Sequence, residues 1–411
     1  VLSNIVRSLH YRNYRNYLVG QFFSLNGTQI ATVAQAWLVY NMTHSSLMLG
    51  LVNFTMLFPI LLFGLFSGVL ADSFSRKKLL FISQMGAMLL SFLLAGLALS
   101  DQLALWHIFI ISFLIGTTQA IDMPVRQTFL ADLVPKKMLT NAVGLNSTIF
   151  NTARFIGPAI AGVLLLQWQA GVLFAINGFS YLILLSILWK MKITPALQVG
   201  DPSARKKLIN PLTSGLKYVV NHLKIRLLLL HVGAVSMMGT SFVVLMPVFV
   251  DQQYSGGSDT LGMLLSAGGA GSLLGALNLA RKKSSAELAP LVGLTGLVGA
   301  AALILFSRND SIFISLLILS VAGFSITTVI ASTNAYIQQL VEDKMRGRVM
   351  SLFSMVFVGM APIGSLGAGA IAEFWGVENA LLVFAVLSGM ISIFFINRVK
   401  SSNALSDHLT D

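Results

Sequence analysis

The sequence predicts an all-α membrane protein with twelve transmembrane helices in two six-helix halves, related by a pseudo-two-fold axis along the membrane normal. Three observations carry that prediction. The 411 residues are 55% hydrophobic and only 10% charged, with a mean hydropathy of +0.80, so lipid must be the solvent for most of the chain. The apolar residues fall into runs of roughly 20 to 28 residues, each long enough to cross about 30 Å of hydrocarbon as a tilted helix. The second half of the chain repeats the first.

Spans are expected near 14–40, 46–71, 78–99, 103–131, 138–166 and 171–190. The first follows a basic stretch and shows no small-residue cleavage signal, so it reads as a retained span rather than a signal peptide. Residues 1–190 then form the N-terminal six-helix half. The long polar interval 191–225, with Pro195, Pro202, Pro211 and many Lys and Arg, reads as a linker. Spans near 226–250, 258–280, 287–306, 311–339, 347–373 and 377–397 make the C-terminal half, 226–397, and leave 398–411 as a polar tail.

Charge orients the ladder. Apart from Arg154 and Arg308, every Lys and Arg falls on one side of the spans, in clusters such as Arg76/Lys77/Lys78, Lys136/Lys137 and Arg281/Lys282/Lys283. The opposite loops hold mainly acids: Asp101, Asp251, Asp259, Asp310, Glu373 and Glu378. By the positive-inside rule both termini are expected in the cytoplasm. The formal net charge of +12 sits in short loops flanking apolar spans, where topology and anionic headgroups account for it, so nucleic acid is not an expected partner. Without cysteine there is no disulfide or thiolate chemistry to consider.

The repeat is visible in LVPKKMLTNAVGLNS from Leu133, which aligns without gaps on LVEDKMRGRVMSLFS from Leu340; Gly157 and Gly162 then match Gly364 and Gly369. Ser24 and Thr28 of the first span match Ser236 and Thr240 of the seventh. Both copies start on the same side of the membrane, so the repeat is parallel, a symmetry known among transporters.

The loop after span 2 reads GVLADSFSRKK from Gly68. A small residue permits close helix approach, the acid can cap or pair with a helix end, and the basic residues can bridge to a neighbour. It resembles the signature loop of the major facilitator superfamily, with Gly68, Asp72, Arg76 and Lys77 in matching positions and Ser73 and Ser75 departing from the pattern. Span 5 carries Gly144, Ala153, Gly157, Pro158, Ala161 and Gly162 at the spacing of the proline-glycine motif of antiporters in that superfamily. Close helix packing alone is the competing reading, since small residues at such intervals are abundant in membrane helices. Glycine-rich GGAGSLLG at Gly268 lies inside an apolar span and is no phosphate loop. Over its whole length the chain resembles the bacterial subgroup of enterobactin exporters and macrolide efflux proteins, most specifically in DMPVRQTFLADLVP from Asp122, NTARFIGPAIAG from Asn151 and RGRVMSLFSM from Arg346. That resemblance implies the major facilitator fold, export through a bacterial inner membrane and antiport. The mid-span arginine of the drug-exporting branches would fall at Ser112 and is missing.

Helical spacing marks the wet faces. Gln21, Ser24, Thr28 and Gln35 share one side of span 1; Gln119, Asp122 and Arg126 one side of span 4; Gly144, Ser147, Asn151 and Arg154 one side of span 5; Ser325, Thr328, Ser332, Tyr336 and Gln339 one side of span 10. Facing lipid would cost each group several kcal/mol, so these stripes are expected to line a cavity or bond to neighbouring helices. Asp122 is the one carboxylate expected deep in the hydrocarbon, and Arg154 the deepest base. A charge there costs on the order of 2.5–3.5 kcal/mol, so Asp122 either pairs permanently with Arg126 or Arg154, or titrates beside the cavity as the proton-coupling group. The repeat sets Val329, Thr333 and Ala361 opposite Asp122, Arg126 and Arg154. His231 lies off the Gly233/Ser236/Thr240 stripe and reads as a hydrogen-bonded helix histidine.

Together with the resemblance, which implies antiport with protons as coupling ion, these features predict a secondary exporter of an amphiphilic small molecule, siderophore-like or drug-like, working as a monomer by alternating access. Two arginines against one aspartate favour anionic substrates. A lipid or lysophospholipid flippase of the same fold is the alternative. Nothing in the chain has metal-ligand or nucleophile-base spacing, so neither a cofactor nor an enzymatic activity is expected.

Overall fold

A computed structural model describes residues 7–192, 209–279 and 285–407; the side chains of 65–73, 209–213, 279, 285–287, 343 and 399–407 lie outside that description. Gly68 and Asp72 of the loop motif fall in that stretch. The described residues contain thirteen α-helices: α1 (Arg12–Thr43), α2 (Ser46–Ser73), α3 (Arg76–Leu99), α4 (Leu105–Leu133), α5 (Leu139–Leu165), α6 (Ala170–Lys190), α7 (Ile209–Asn221), α8 (Leu223–Tyr254), α9 (Ser258–Leu279), α10 (Ser285–Phe306), α11 (Ile312–Leu340), α12 (Asp343–Trp375) and α13 (Val377–Asp407). Helices are the form a lipid-solvated chain must take, because every backbone N–H and C=O is then bonded within its own segment.

Eleven of them are long and apolar enough to cross a membrane. The exception among the expected spans is α1, which has 32 residues but is diluted by Asn16, Gln21, Ser24, Asn26, Thr28, Gln29 and Gln35. Packing on α5 and α6 resolves this: Gln21, Ser24 and Asn26 are buried in protein rather than presented to lipid. Helix extends beyond the expected spans in two places. The interval 191–225 contains the 13-residue helix α7, too short to span, and α13 continues through the polar residues beyond 397 to Asp407. Polarity ends a membrane span, but it does not end a helix.

The chain divides into two compact units. One comprises Val1–His44, Val52–Arg205 and Gly256–Ser266; the other comprises Ser45–Leu51, Lys206–Ser255 and Ala267–Asp411. Inside each unit the packing order is the same: α1 lies on α5 and α6 while α3 lies on α4 and α6, and α8 lies on α12 and α13 while α10 lies on α11 and α13. Equivalent details recur at single residues. Helices α1 and α8 both end in a left-handed non-glycine residue, His44 (φ 48°) and Ser255 (φ 46°), whose N–H groups return to Tyr40 O and Val250 O. Gly116 and Gly323, matched by the repeat, each sit where an added Cβ would come within 2.0 Å of Met56 O and 1.9 Å of Gly268 O, so only glycine admits the crossing.

One end of the first unit is filled by a buried cluster containing Tyr14, Tyr17, Leu80, Phe129, Leu130, Leu184 and Leu188. Tyr17 meets Phe129 edge-on at 5.3 Å, and Tyr14 Oη donates to Ala142 O at 2.8 Å. This cluster stiffens α1, α3, α4 and α6 beside the charged residues of the site.

Candidate substrate and coupling site

The polar stripes of α1 and α4 meet inside the first unit. Asp122, buried at 6% exposure, takes hydrogen bonds on Oδ1 from Gln84 Nε2 at 2.7 Å and Ser83 Oγ at 3.3 Å, and its Oδ2 receives Arg126 Nη2 one helical turn away. Gln84 Oε1 in turn accepts from Ser24 Oγ at 3.2 Å. The Gln21 amide faces the Arg126 guanidinium, and the orientation that satisfies both has its oxygen accepting from Nε at 3.3 Å and from Nη1. Of the two pairings open to Asp122, the structure makes the one with Arg126. Both oxygens of the carboxylate have donors, and two sides of the guanidinium have acceptors, which is what a buried ion pair requires.

The other residues of the α1 stripe bond to neighbouring helices. Thr28 Oγ1 lies 3.0 Å from Tyr181 Oη, and Gln35 Nε2 donates to Ser112 Oγ at 2.9 Å, so the position lacking the drug exporters' arginine serves as an acceptor for α1. Gln119 is half-buried and has no hydrogen bond among the described residues. In α5, Asn151 Nδ2 donates to Ser147 O at 2.8 Å. Arg154 is half-buried and has neither a hydrogen bond nor an ion pair within the described protein. It is a cation held in the middle of a membrane-spanning helix without a counter-charge.

In the second unit the stripes are plainer. Ser236 Oγ donates to Phe357 O at 2.6 Å, and Thr240 Oγ1 donates to Ser236 O. The hydroxyls of Ser325, Thr328, Ser332 and Thr333 are buried without a partner, and Tyr336 is buried beside them. His231 is fully buried, with Nε2 2.8 Å from Ser392 Oγ and its ring stacked on Phe395. Because Ser392 gives its own proton to Ser388 O at 2.8 Å, Nε2 is the donor, and Nδ1 is left without a partner. Only half of the expected satisfaction of this histidine is met.

At the loop motif, Arg76 Nη1 pairs with Asp132 Oδ1 at 2.8 Å, and Lys77 Nζ donates to Met191 O at 2.6 Å. Both contacts tie the start of α3 to α4 and to the end of α6 within the first unit. In the proline-glycine motif, an added Cβ at Gly157 would come 2.4 Å from Gln29 Cβ, and one at Gly162 would come 2.7 Å from Ser258 O, whereas Gly144 faces open space. Arg308, the other cation off the basic side, is paired with Glu378 at 2.5 Å.

The sequence reading missed Ser83, Gln84, Asp132 and Tyr181. Gln84 interrupts an apolar run and could have been noticed; Tyr181 and Asp132 acquire their roles only from tertiary neighbours.

Two six-helix bundles of repeated packing order are the architecture of a multi-pass membrane protein, and the family and the relatives that the chain matches make it a transporter of the major facilitator superfamily and not an enzyme. The chain belongs to the family described as transmembrane secretion effector, whose model matches residues 7–409. It is 28% identical over 388 residues to the staphyloferrin A transporter of Staphylococcus aureus (strain NCTC 8325 / PS 47), covering 93% of this chain and 96% of that one. To macrolide efflux protein A of Streptococcus pyogenes it is 23% identical over 389 residues, covering 93% and 95%. A solved bacterial homolog to the human lysosomal transporter Spinster, inward-facing and occupied, is similar with TM-score 0.74 over 95% of this chain and 97% of that one. At 15% identity that likeness concerns the fold alone.

Proposed function

We propose that the chain is a proton-driven exporter of an amphiphilic small anion, of the siderophore-like or drug-like kind, placed in a bacterial inner membrane with both termini in the cytoplasm and working by alternating access. The observation that carries the reading is the contrast between Arg126, already neutralised by Asp122, and Arg154, half-buried with no partner. A cation at that depth is retained at a cost of about 2.5–3.5 kcal/mol unless something neutralises it, and a carboxylate or catecholate of the substrate would do so.

The pair also constrains the coupling. An anion bound by Arg126 would displace Asp122 and leave it to take up a proton, so substrate and proton would bind together, as in symport. An anion bound by Arg154 leaves Asp122 untouched, so the carboxylate takes a proton from solvent as it releases Arg126 and returns it to solvent as the pair re-forms, in a step separate from substrate binding, as antiport requires. The reading therefore assigns the substrate to Arg154 and the proton to Asp122. Relatives named as a siderophore transporter and a macrolide efflux protein support a small-molecule cargo.

The test is proton uptake on substrate binding by the purified protein in weakly buffered detergent, using a panel of siderophores, macrolides and lysophospholipids. Binding of an anionic siderophore without proton uptake, lost in Arg154→Gln, is the expected result. One proton taken up per anion bound would overturn the assignment in favour of Arg126. Binding of lysophospholipids alone would identify a flippase.

A further inference from the structure

Helix α7 and the start of α8 present an amphipathic surface that the transport reading leaves unused. One side of α7 is packed: Gly215 and Val219 are buried, an added Cβ at Gly215 would come 3.2 Å from Arg348 Cβ, and Arg348 Nη1 donates to Ser214 Oγ at 2.8 Å. Beside it Leu216 and Val220 lie one turn apart on α7 and are 55% and 53% exposed, and Leu223, 44% exposed, follows at the start of α8 just past the extended His222. Three large apolar side chains exposed so close along the chain are not left to water without reason.

Beside this patch opens a cleft of about 300 Å³ whose lining includes His222, Leu223, Lys224, Leu340 and Arg398 and contains no acid. Lys224 has neither a hydrogen bond nor an ion pair among the described residues. Arg398 is exposed, stands 5.4 Å from the Phe394 ring and has no acidic partner among them. The cleft sits where α8 begins and where the apolar run of α13 gives out, so it lies at headgroup level of whatever bilayer the spans cross.

We propose that this cleft binds the headgroup of an anionic phospholipid, its phosphate on Lys224 and Arg398 and an acyl chain along Leu216, Val220 and Leu223. Two unneutralised cations next to an uncovered apolar patch fit a phosphodiester joined to a hydrocarbon chain. A free anion would leave the patch in water, and a zwitterionic lipid would bring its own cation into a cationic cleft. The proposal does not depend on what the protein transports.

The test is native mass spectrometry of the full-length protein in mild detergent, incubated with phosphatidylglycerol or with phosphatidylcholine of the same acyl chains. The wild type should retain phosphatidylglycerol about tenfold more strongly, a difference of about 1.4 kcal/mol. Lys224→Gln with Arg398→Gln should bring the two lipids level, and Lys224→Arg with Arg398→Lys should keep most of the preference. Lys136→Gln with Lys137→Gln, which removes the same charge from another basic loop, should change nothing. If the glutamine pair misfolds, as read by size exclusion, Leu216→Ser with Val220→Ser tests the apolar patch with the cations intact and should lose retention. An unaltered preference in the cleft variants, an equal loss in the Lys136/Lys137 variant, or displacement of the lipid by millimolar inorganic phosphate would overturn the proposal.

Discussion

The two units share one scaffold and differ in what they bury. In the first, α4 carries Asp122 and Arg126 as an ion pair with Gln84, Ser83 and Gln21 arranged around it. In the second, α11 carries Val329 and Thr333 at the matched positions, both fully buried, and the Thr333 hydroxyl finds no partner among the described residues. The glycines that set the crossings, Gly116 and Gly323, are the same in both. Small-residue packing thus fixes the frame twice, while the buried ion pair forms only in the unit where side chains from α1 and α3 converge to solvate it. A buried ion is stable through its surrounding donors and acceptors more than through its partner alone.

That contrast can be broken most severely by Val329→Asp, which places a carboxylate in the second unit without the matching cation, since Thr333 stands where the first unit has Arg126. An uncompensated buried charge costs about 3–5 kcal/mol against a total stability of about 5–15 kcal/mol, so the variant should fail to yield monodisperse protein by fluorescence size exclusion. Asp122→Asn strips the pair in the first unit and leaves Arg126 with Gln21. A loss on the order of 3 kcal/mol is expected, visible as a lower melting temperature, together with loss of transport driven by a pH gradient in proteoliposomes. Asp122→Asn with Arg126→Gln should recover most of the stability and none of the gradient-driven transport; recovered transport would remove Asp122 from the coupling path.

Smaller effects follow at sites with fewer neighbours. Arg154→Gln, which removes an uncompensated charge and orphans no protein partner, should raise the melting temperature of the substrate-free protein or leave it unlowered and weaken anionic substrates about tenfold, roughly 1.4 kcal/mol, by equilibrium binding. A lowered melting temperature with equal loss for neutral substrates would instead make it a brace. Asp132→Asn breaks the Arg76 pair, whose side chains are 13% and 20% exposed; partial solvation limits the loss to about 1 kcal/mol or less, measurable by thermal unfolding. Ser332→Ala should be nearly neutral, within about 0.5 kcal/mol, because its hydroxyl has no bond to lose.

Much of this protein is written along the chain. Span length and apolarity predict the membrane helices, because about 30 Å of hydrocarbon demands a run of fixed length and lipid allows a spanning segment no other local form. The match of Leu133 onward with Leu340 onward predicts two copies of one bundle, and periodicity places Gln21, Ser24, Asp122 and Arg126 on polar faces, since the helical period of 3.6 is a local property. Helix α7 escaped that reading because 13 residues of mixed polarity carry no span signal, and α13 overran its predicted end because helix propensity outlasts hydropathy.

Pairing was decided only in three dimensions. The sequence by itself placed Asp122 deep in the hydrocarbon and left pairing with Arg126, pairing with Arg154 and titration beside the cavity all open. Tertiary packing brought Gln84 and Ser83 to one side of the carboxylate and Gln21 to the far side of Arg126, completing that pair and leaving Arg154 free. It likewise gave Asp132 to Arg76 and Tyr181 to Thr28. Hydropathy and periodicity are sums over neighbours in sequence, whereas a hydrogen bond between helices depends on their crossing, rotation and depth, and those are set by all the contacts of the bundle at once.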